Sequence, residues 1–133
     1  MSQKKPTMKI FGFPPIAHPN FKQIFSIEDV KNSNANEVLF FKDTLTHCLE
    51  LGAFLQKNNT NYAVEITSVQ NFLFFSNLGA KYALVRTLAP TYQNLAKEYM
   101  LDILVLQIIN QQEEILTVSA EGIDGVIFEN LLL

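Results

Sequence analysis

Glu65 and Gln107 interrupt two apolar runs, Tyr62–Ile66 and Ile103–Ile109, each near its carboxyl end. A carboxylate or amide inside such a run needs a partner, because burying it unpaired is costly. Arg86 follows the run Lys81–Val85, and Lys42 follows the run Glu37–Phe41. Glu65 facing Arg86 or Lys42 would be satisfied, and the same arrangement sets a general base beside an anion clamp. Thr67 and Ser68 stand where a helix is expected to start. The free backbone N–H groups of such a start hold phosphates in many proteins, and plain helix capping is the competing reading. Asn110 ends the Ile103–Ile109 run, and Glu129 and Asn130 follow the last run, Ile123–Phe128. The candidate catalytic residue is Glu65. The candidate ligand-binding set is Lys42, Thr67, Ser68, Arg86, Gln107 and Asn110.

Other chemistries find less support. His18, His47 and Cys48 have no metal-ligand spacing, so no metal site is expected. Cys48 falls on the apolar stripe of a helix, which is core placement rather than the exposed, positive setting of a reactive thiol. The chain has no G-x-G-x-x-G, no Walker A sequence and no serine elbow, so no cofactor is expected. Phe72, Phe74 and Phe75 have no alternating basic residues, so they read as core or interface and not as a base-stacking platform.

The elements that must position these residues alternate. Apolar runs over Glu37–Phe41, Tyr62–Ile66, Lys81–Val85, Ile103–Ile109 and Ile123–Phe128 read as strands. Helical spacing covers Asp43–Gln56, Val69–Leu78, Thr91–Met100 and Gln111–Ala120. Gly79 and Gly122 suit the ends of two of these helices. Thr67 with Gln70, and Asn110 with Glu113, have capping-box spacing, and Pro90 suits a first helical turn. Continuous apolar strands are covered on both faces, which marks a mostly parallel sheet. The expected fold is a small open three-layer α/β domain with a five-stranded, mostly parallel sheet. Half of a (β/α) barrel that completes itself by dimerising is the alternative, since a whole eight-stranded barrel takes about 250 residues. In either case ligands bind at the carboxyl ends of the strands.

Residues 1–36 differ. They hold four of the five prolines and an Asn-rich cluster before Glu37. They read as an irregular arm, with one capped helical turn at Ser26–Val30, ahead of a single domain over 37–133. The arm's Phe11, Phe13 and Phe21 are expected to pack on the domain or on a partner.

The 133 residues are 48% apolar and only 17% charged, enough to bury a core and to favour a homo-oligomer. A net charge of −3 argues against nucleic acid as a partner. The basic cluster Lys4-Lys5 with Lys9 reads as a solvated terminus. One cysteine allows no internal disulfide, no signal peptide opens the chain, and no run approaches the roughly 20 apolar residues of a membrane span. The expected location is cytoplasmic, with no membrane partner.

Ala63-Val64-Glu65-Ile66-Thr67, followed by Leu78-Gly79-Ala80-Lys81-Tyr82-Ala83-Leu84-Val85, resembles the βα units of phosphate-binding (β/α) barrels of the keto-deoxy-phosphogluconate aldolase type. Gly122-Ile123-Asp124-Gly125-Val126-Ile127-Phe128 is similar to a late strand of such barrels. The resemblance implies an acid/base role for Glu65. That family's Schiff-base lysine has no counterpart in Ile123–Phe128. Taken together, the first expectation is a non-enzymatic oligomerising or protein-interaction module. The alternative is a protein, or a lyase-like enzyme, that binds a small anionic molecule or phosphoester at the strand ends.

Overall fold

Every inner strand of this chain buries both its faces, and the two faces bury against different things. The computed structural model describes residues 7–133; Lys4 and Lys5 of the basic cluster lie outside the described residues. In chain order the elements are β1 (Lys9–Phe11), β2 (Asn20–Gln23), α1 (Ile27–Lys31), β3 (Glu37–Lys42), α2 (Cys48–Lys57), β4 (Tyr62–Glu65) and α3 (Val69–Asn77). There follow β5 (Tyr82–Val85), α4 (Ala89–Glu98), β6 (Leu104–Ile109), α5 (Glu114–Ala120), β7 (Gly125–Phe128) and a 3-10 turn over Glu129–Leu132.

Among the described residues the seven strands form one parallel sheet in the order β1-β7-β6-β5-β4-β3-β2. Strands β3 to β7 thus lie side by side in chain order, each joined to the next through a helix. The α/β class and the parallel sheet agree with the sequence reading, and the five expected strands are β3 to β7. The strand count does not agree: the arm supplies two more, one at each edge. Their signal is weak for a physical reason. An edge strand is paired on one side only, so Asn20-Phe21-Lys22-Gln23 can carry three polar residues, and Pro14, Pro15 and Pro19 crowd the stretch between the two short strands.

Side chains alternate across the sheet. Leu39, Phe41, Tyr62, Val64, Ala83, Val85, Val105, Ile109 and Val126 join the helices in one core. Leu51, Leu55, Phe72, Phe75, Tyr92, Ala96 and Val118 are the helical half of it. Tyr62 is fully buried there, stacked on Phe41 at 5.8 Å, and its hydroxyl donates to the Leu78 carbonyl at 2.6 Å. The other set is Phe11, Val38, Phe40, Ala63, Tyr82, Leu84, Leu106, Ile108 and Ile127, with Phe21 partly buried beside it. Among the described residues its only members from outside the strands are Leu131 and Leu132 of the 3-10 turn.

Helices therefore cover one face, and the sheet fills the other with its own side chains by curling. It curls far enough that Phe11 on one edge strand meets Phe21 on the other, ring centroids 5.9 Å apart, with both rings near Tyr82. Among the described residues no ladder joins β1 to β2. The half-barrel alternative matches this architecture. The open three-layer arrangement does not, because among the described residues no α-helix packs on the inner face. No helix among the described residues is long and apolar enough to cross a membrane.

Candidate functional site

Parallel strands bring all their carboxyl ends to one edge. Which end residues meet there depends on parity. Leu84 and Ile127 point into the inner core. Arg86 and Glu129 come two residues later in their chains and so continue the same face. Glu65 pairs with Leu84, and Lys42 pairs with Glu65, so these two side chains share that face as well. Four charged residues from β3, β4, β5 and β7 thus rim the inner core at its carboxyl end.

Three of them are in contact. Arg86 Nε donates to Glu65 Oε2 at 3.1 Å, and Arg86 Nη2 donates to Glu129 Oε2. The Glu65 side chain is 11% exposed, that of Glu129 28% and that of Arg86 46%. The cluster therefore grades from a buried carboxylate to a half-open guanidinium. The hydrogen bonds from Arg86, followed by the charges of Arg86 and Lys42, hold the Glu129 carboxyl below its ordinary range against the opposing effect of burial. The two carboxylates hold the guanidinium firmly protonated. Beside Lys42 a recess lined by Gln23, Ile24, Thr44 and Thr46 opens on the surface.

Thr67 and Ser68 are already engaged. The Asp43 carboxylate is buried and accepts from the Thr67 N–H at 2.7 Å, the Thr67 hydroxyl at 3.0 Å and the Asn71 amide at 2.9 Å. Ser68 caps α3, its Oγ accepting from the Asn71 N–H at 3.1 Å. The anion at the start of α3 is thus one of the chain's own side chains, held where the helix dipole favours it. Asp43 is the residue that reading the sequence for sites missed. Its signal was available: an acid directly after a strand end can reach the next βα junction.

Gln107 lies elsewhere. It pairs with Val85 and Val126, both on the helix-covered face, so it points away from Glu65 and Arg86. Asn110 is exposed just past β6, and its N–H donates to Glu114 Oε2 at 2.8 Å, next to the Gln111 N–H at 2.9 Å. Glu129 was legible only as a residue that ends a strand. Cys48 is half-buried, its thiol donating to the Asp43 carbonyl at 3.4 Å and raised in pKa chiefly by burial. His47 is exposed at the start of α2 in the left-handed conformation, and the His18 ring bonds the Pro19 carbonyl. Among the described residues there is no group of three or more His, Cys, Asp or Glu placed to hold a metal ion.

Compared with known proteins, the chain matches no family model and no curated sequence.

Proposed function

We propose that this protein binds a small organic anion, carrying a carboxylate or phosphate group, at the carboxyl end of its sheet. The observation that supports this reading is the convergence of Glu65, Arg86 and Glu129 from three strands onto one half-open guanidinium. Strand-end ligands are the rule for parallel α/β sheets. The guanidinium is half-open rather than buried, and Lys42 is nearby and exposed. A role for Glu65 in proton transfer would need a substrate to reach it past Arg86. Binding needs only Arg86 and Lys42.

A thermal-shift screen against phosphate, sugar phosphates, nucleotides and keto acids tests the reading. A ligand at a hundredfold excess over its Kd stabilises the folded state by about 2.7 kcal/mol. The expected result is an upward shift with one anion class, reduced in Lys42→Ala and lost in Arg86→Ala. Lys42 is exposed, so its variant should fold normally. No shift in the wild type with any class overturns the reading.

A second reading, self-association, rests on a different observation. Leu49 on α2 and Phe74 on α3 are 39% and 42% exposed and line a shallow groove together with Ala53 and Leu78, edged by Glu50 and Asn77. Apolar side chains grouped in this way fit an interface between two copies of the chain. Light scattering on the wild type and on a Leu49→Glu/Phe74→Glu variant decides it. A dimer that the variant abolishes supports the reading, and a wild-type monomer at high concentration overturns it.

A further inference from the structure

Arg86 is shared between two carboxylates that hold it differently. Glu65 sits within β4, paired on both sides, and is nearly buried. Glu129 is more exposed and opens the 3-10 turn of Glu129–Leu132. That turn leaves β7 and crosses the seam between the sheet's two edges. Its Leu131 and Leu132 pack into the inner core with Phe11 and Phe21, and the turn rests against β2. Gly12 lets it come close: a Cβ there would lie 3.0 Å from the Phe128 Cβ and 3.1 Å from the Leu131 Cγ. The turn is therefore a strap, fastened at its far end by apolar contact and at its start by the ion pair between Glu129 and Arg86.

A guanidinium offers carboxylates and phosphates the same planar fork of donors. Glu129 occupies on Arg86 the place that an external oxyanion would take. We propose that Glu129 is an internal, displaceable ligand of Arg86: a small oxyanion binds by replacing it, and the replacement frees the start of the strap. This rests on the reading that the strand ends bind an organic anion, and it adds how that site is gated. Glu129 is the carboxylate that leaves, because it is the more exposed of the two and belongs to a single turn. Glu65 is the more deeply buried of the two, so its side chain has less room to swing away from Arg86. Lys42, whose charge already acts on Glu129, stays to meet the incoming anion.

Competition has a signature that simple binding lacks. A site open only part of the time binds more weakly by that fraction. Removing the competitor should therefore tighten binding, although Glu129 itself touches the site. The probes are inorganic phosphate and succinate, titrated calorimetrically into the full chain at fixed ionic strength. Glu129→Gln should bind the preferred anion about tenfold more tightly than wild type. Glu98→Gln makes the same charge change on an exposed residue at the far end of α4 and should bind like wild type. Amide exchange over 130–133 should quicken in the wild type when the anion is added, and in Glu129→Gln without it. Three results overturn the latch and leave the site standing: equal or weaker binding by Glu129→Gln, a gain matched by Glu98→Gln, or unchanged exchange over 130–133 in the bound wild type. Absence of binding by all three proteins overturns the site reading and the latch with it.

Discussion

At the scale of single residues, the strongest constraints fall on polar groups that face inward. Tyr62 is fully buried, and burial pushes its hydroxyl's pKa well up, so it stays a neutral donor to the Leu78 carbonyl. Tyr62→Phe leaves that carbonyl without its partner. It should lower stability by about 1–2 kcal/mol, measured by urea unfolding, with the fold unchanged. Glu129 yields a pH prediction. Its folded pKa is held below the unfolded value by hydrogen bonds from Arg86. A carboxylate depressed in this way adds stability that is fully present above its unfolded pKa of about 4.3 and is lost as pH falls through the lower folded value. Stability should therefore drop more steeply on acidification in the wild type than in Glu129→Gln. Parallel curves for the two proteins below about pH 5 would show that the pair contributes nothing measurable.

At the scale of elements, the βα junctions are tied by side chains from neighbouring units. Asp43, just after β3, holds the first turn of α3 through Thr67 and Asn71. Asp43→Ala would leave three partly buried donors, the Thr67 N–H and hydroxyl and the Asn71 amide, without their acceptor. It should cost about 2–3 kcal/mol in chemical denaturation, and Asp43→Asn should recover part of that by keeping one acceptor. A similar tie closes the other side: Gln93 on α4 accepts from the Asp124 N–H, and Asp124 accepts from the Val105 N–H. The helix starts also show how close local reading comes. Ser68, not Thr67, caps α3, and Glu114, not Glu113, takes the N–H groups ahead of α5. Each differs from expectation by one residue, because a cap is chosen by which side chain the sheet leaves facing the free N–H.

For the whole molecule, closure of the sheet is carried by side chains. Phe11 and Phe21 belong to opposite edges, and no backbone ladder joins those edges among the described residues. Their rings, with Tyr82 and the strap's Leu131 and Leu132, fill the interior that a continuous barrel would wrap. A double-mutant cycle with Phe11→Leu and Phe21→Leu should show a coupling of about 0.5–1.5 kcal/mol, as expected of aromatic pairs in contact. Additive effects would mean that the two edges stand independent in solution. The same curl gathers the strand-end charges. On a flat sheet Lys42, Glu65, Arg86 and Glu129 would be spread over five strands, whereas the curl turns one face inward and brings Glu65, Arg86 and Glu129 into contact.

The sequence by itself determined the α/β class, the five central strands with the four helices that join them, and the parallel sheet. Those properties rest on local periodicity and on apolar runs too continuous to leave a face in water. It also singled out Glu65 and Arg86, since a carboxylate within an apolar strand needs a partner and a cation at a neighbouring strand end is a near one. Tertiary structure alone decided three other matters. The arm became strands, because pairing at a sheet edge supplies what local propensity does not. Gln107 fell on the helix face and Glu65 on the inner one, because parity relative to neighbours is set by register, which no single strand encodes. Glu129 joined Arg86, and Asp43 claimed the start of α3, because the curl of the sheet and the βα junctions place side chains distant in sequence within bonding reach.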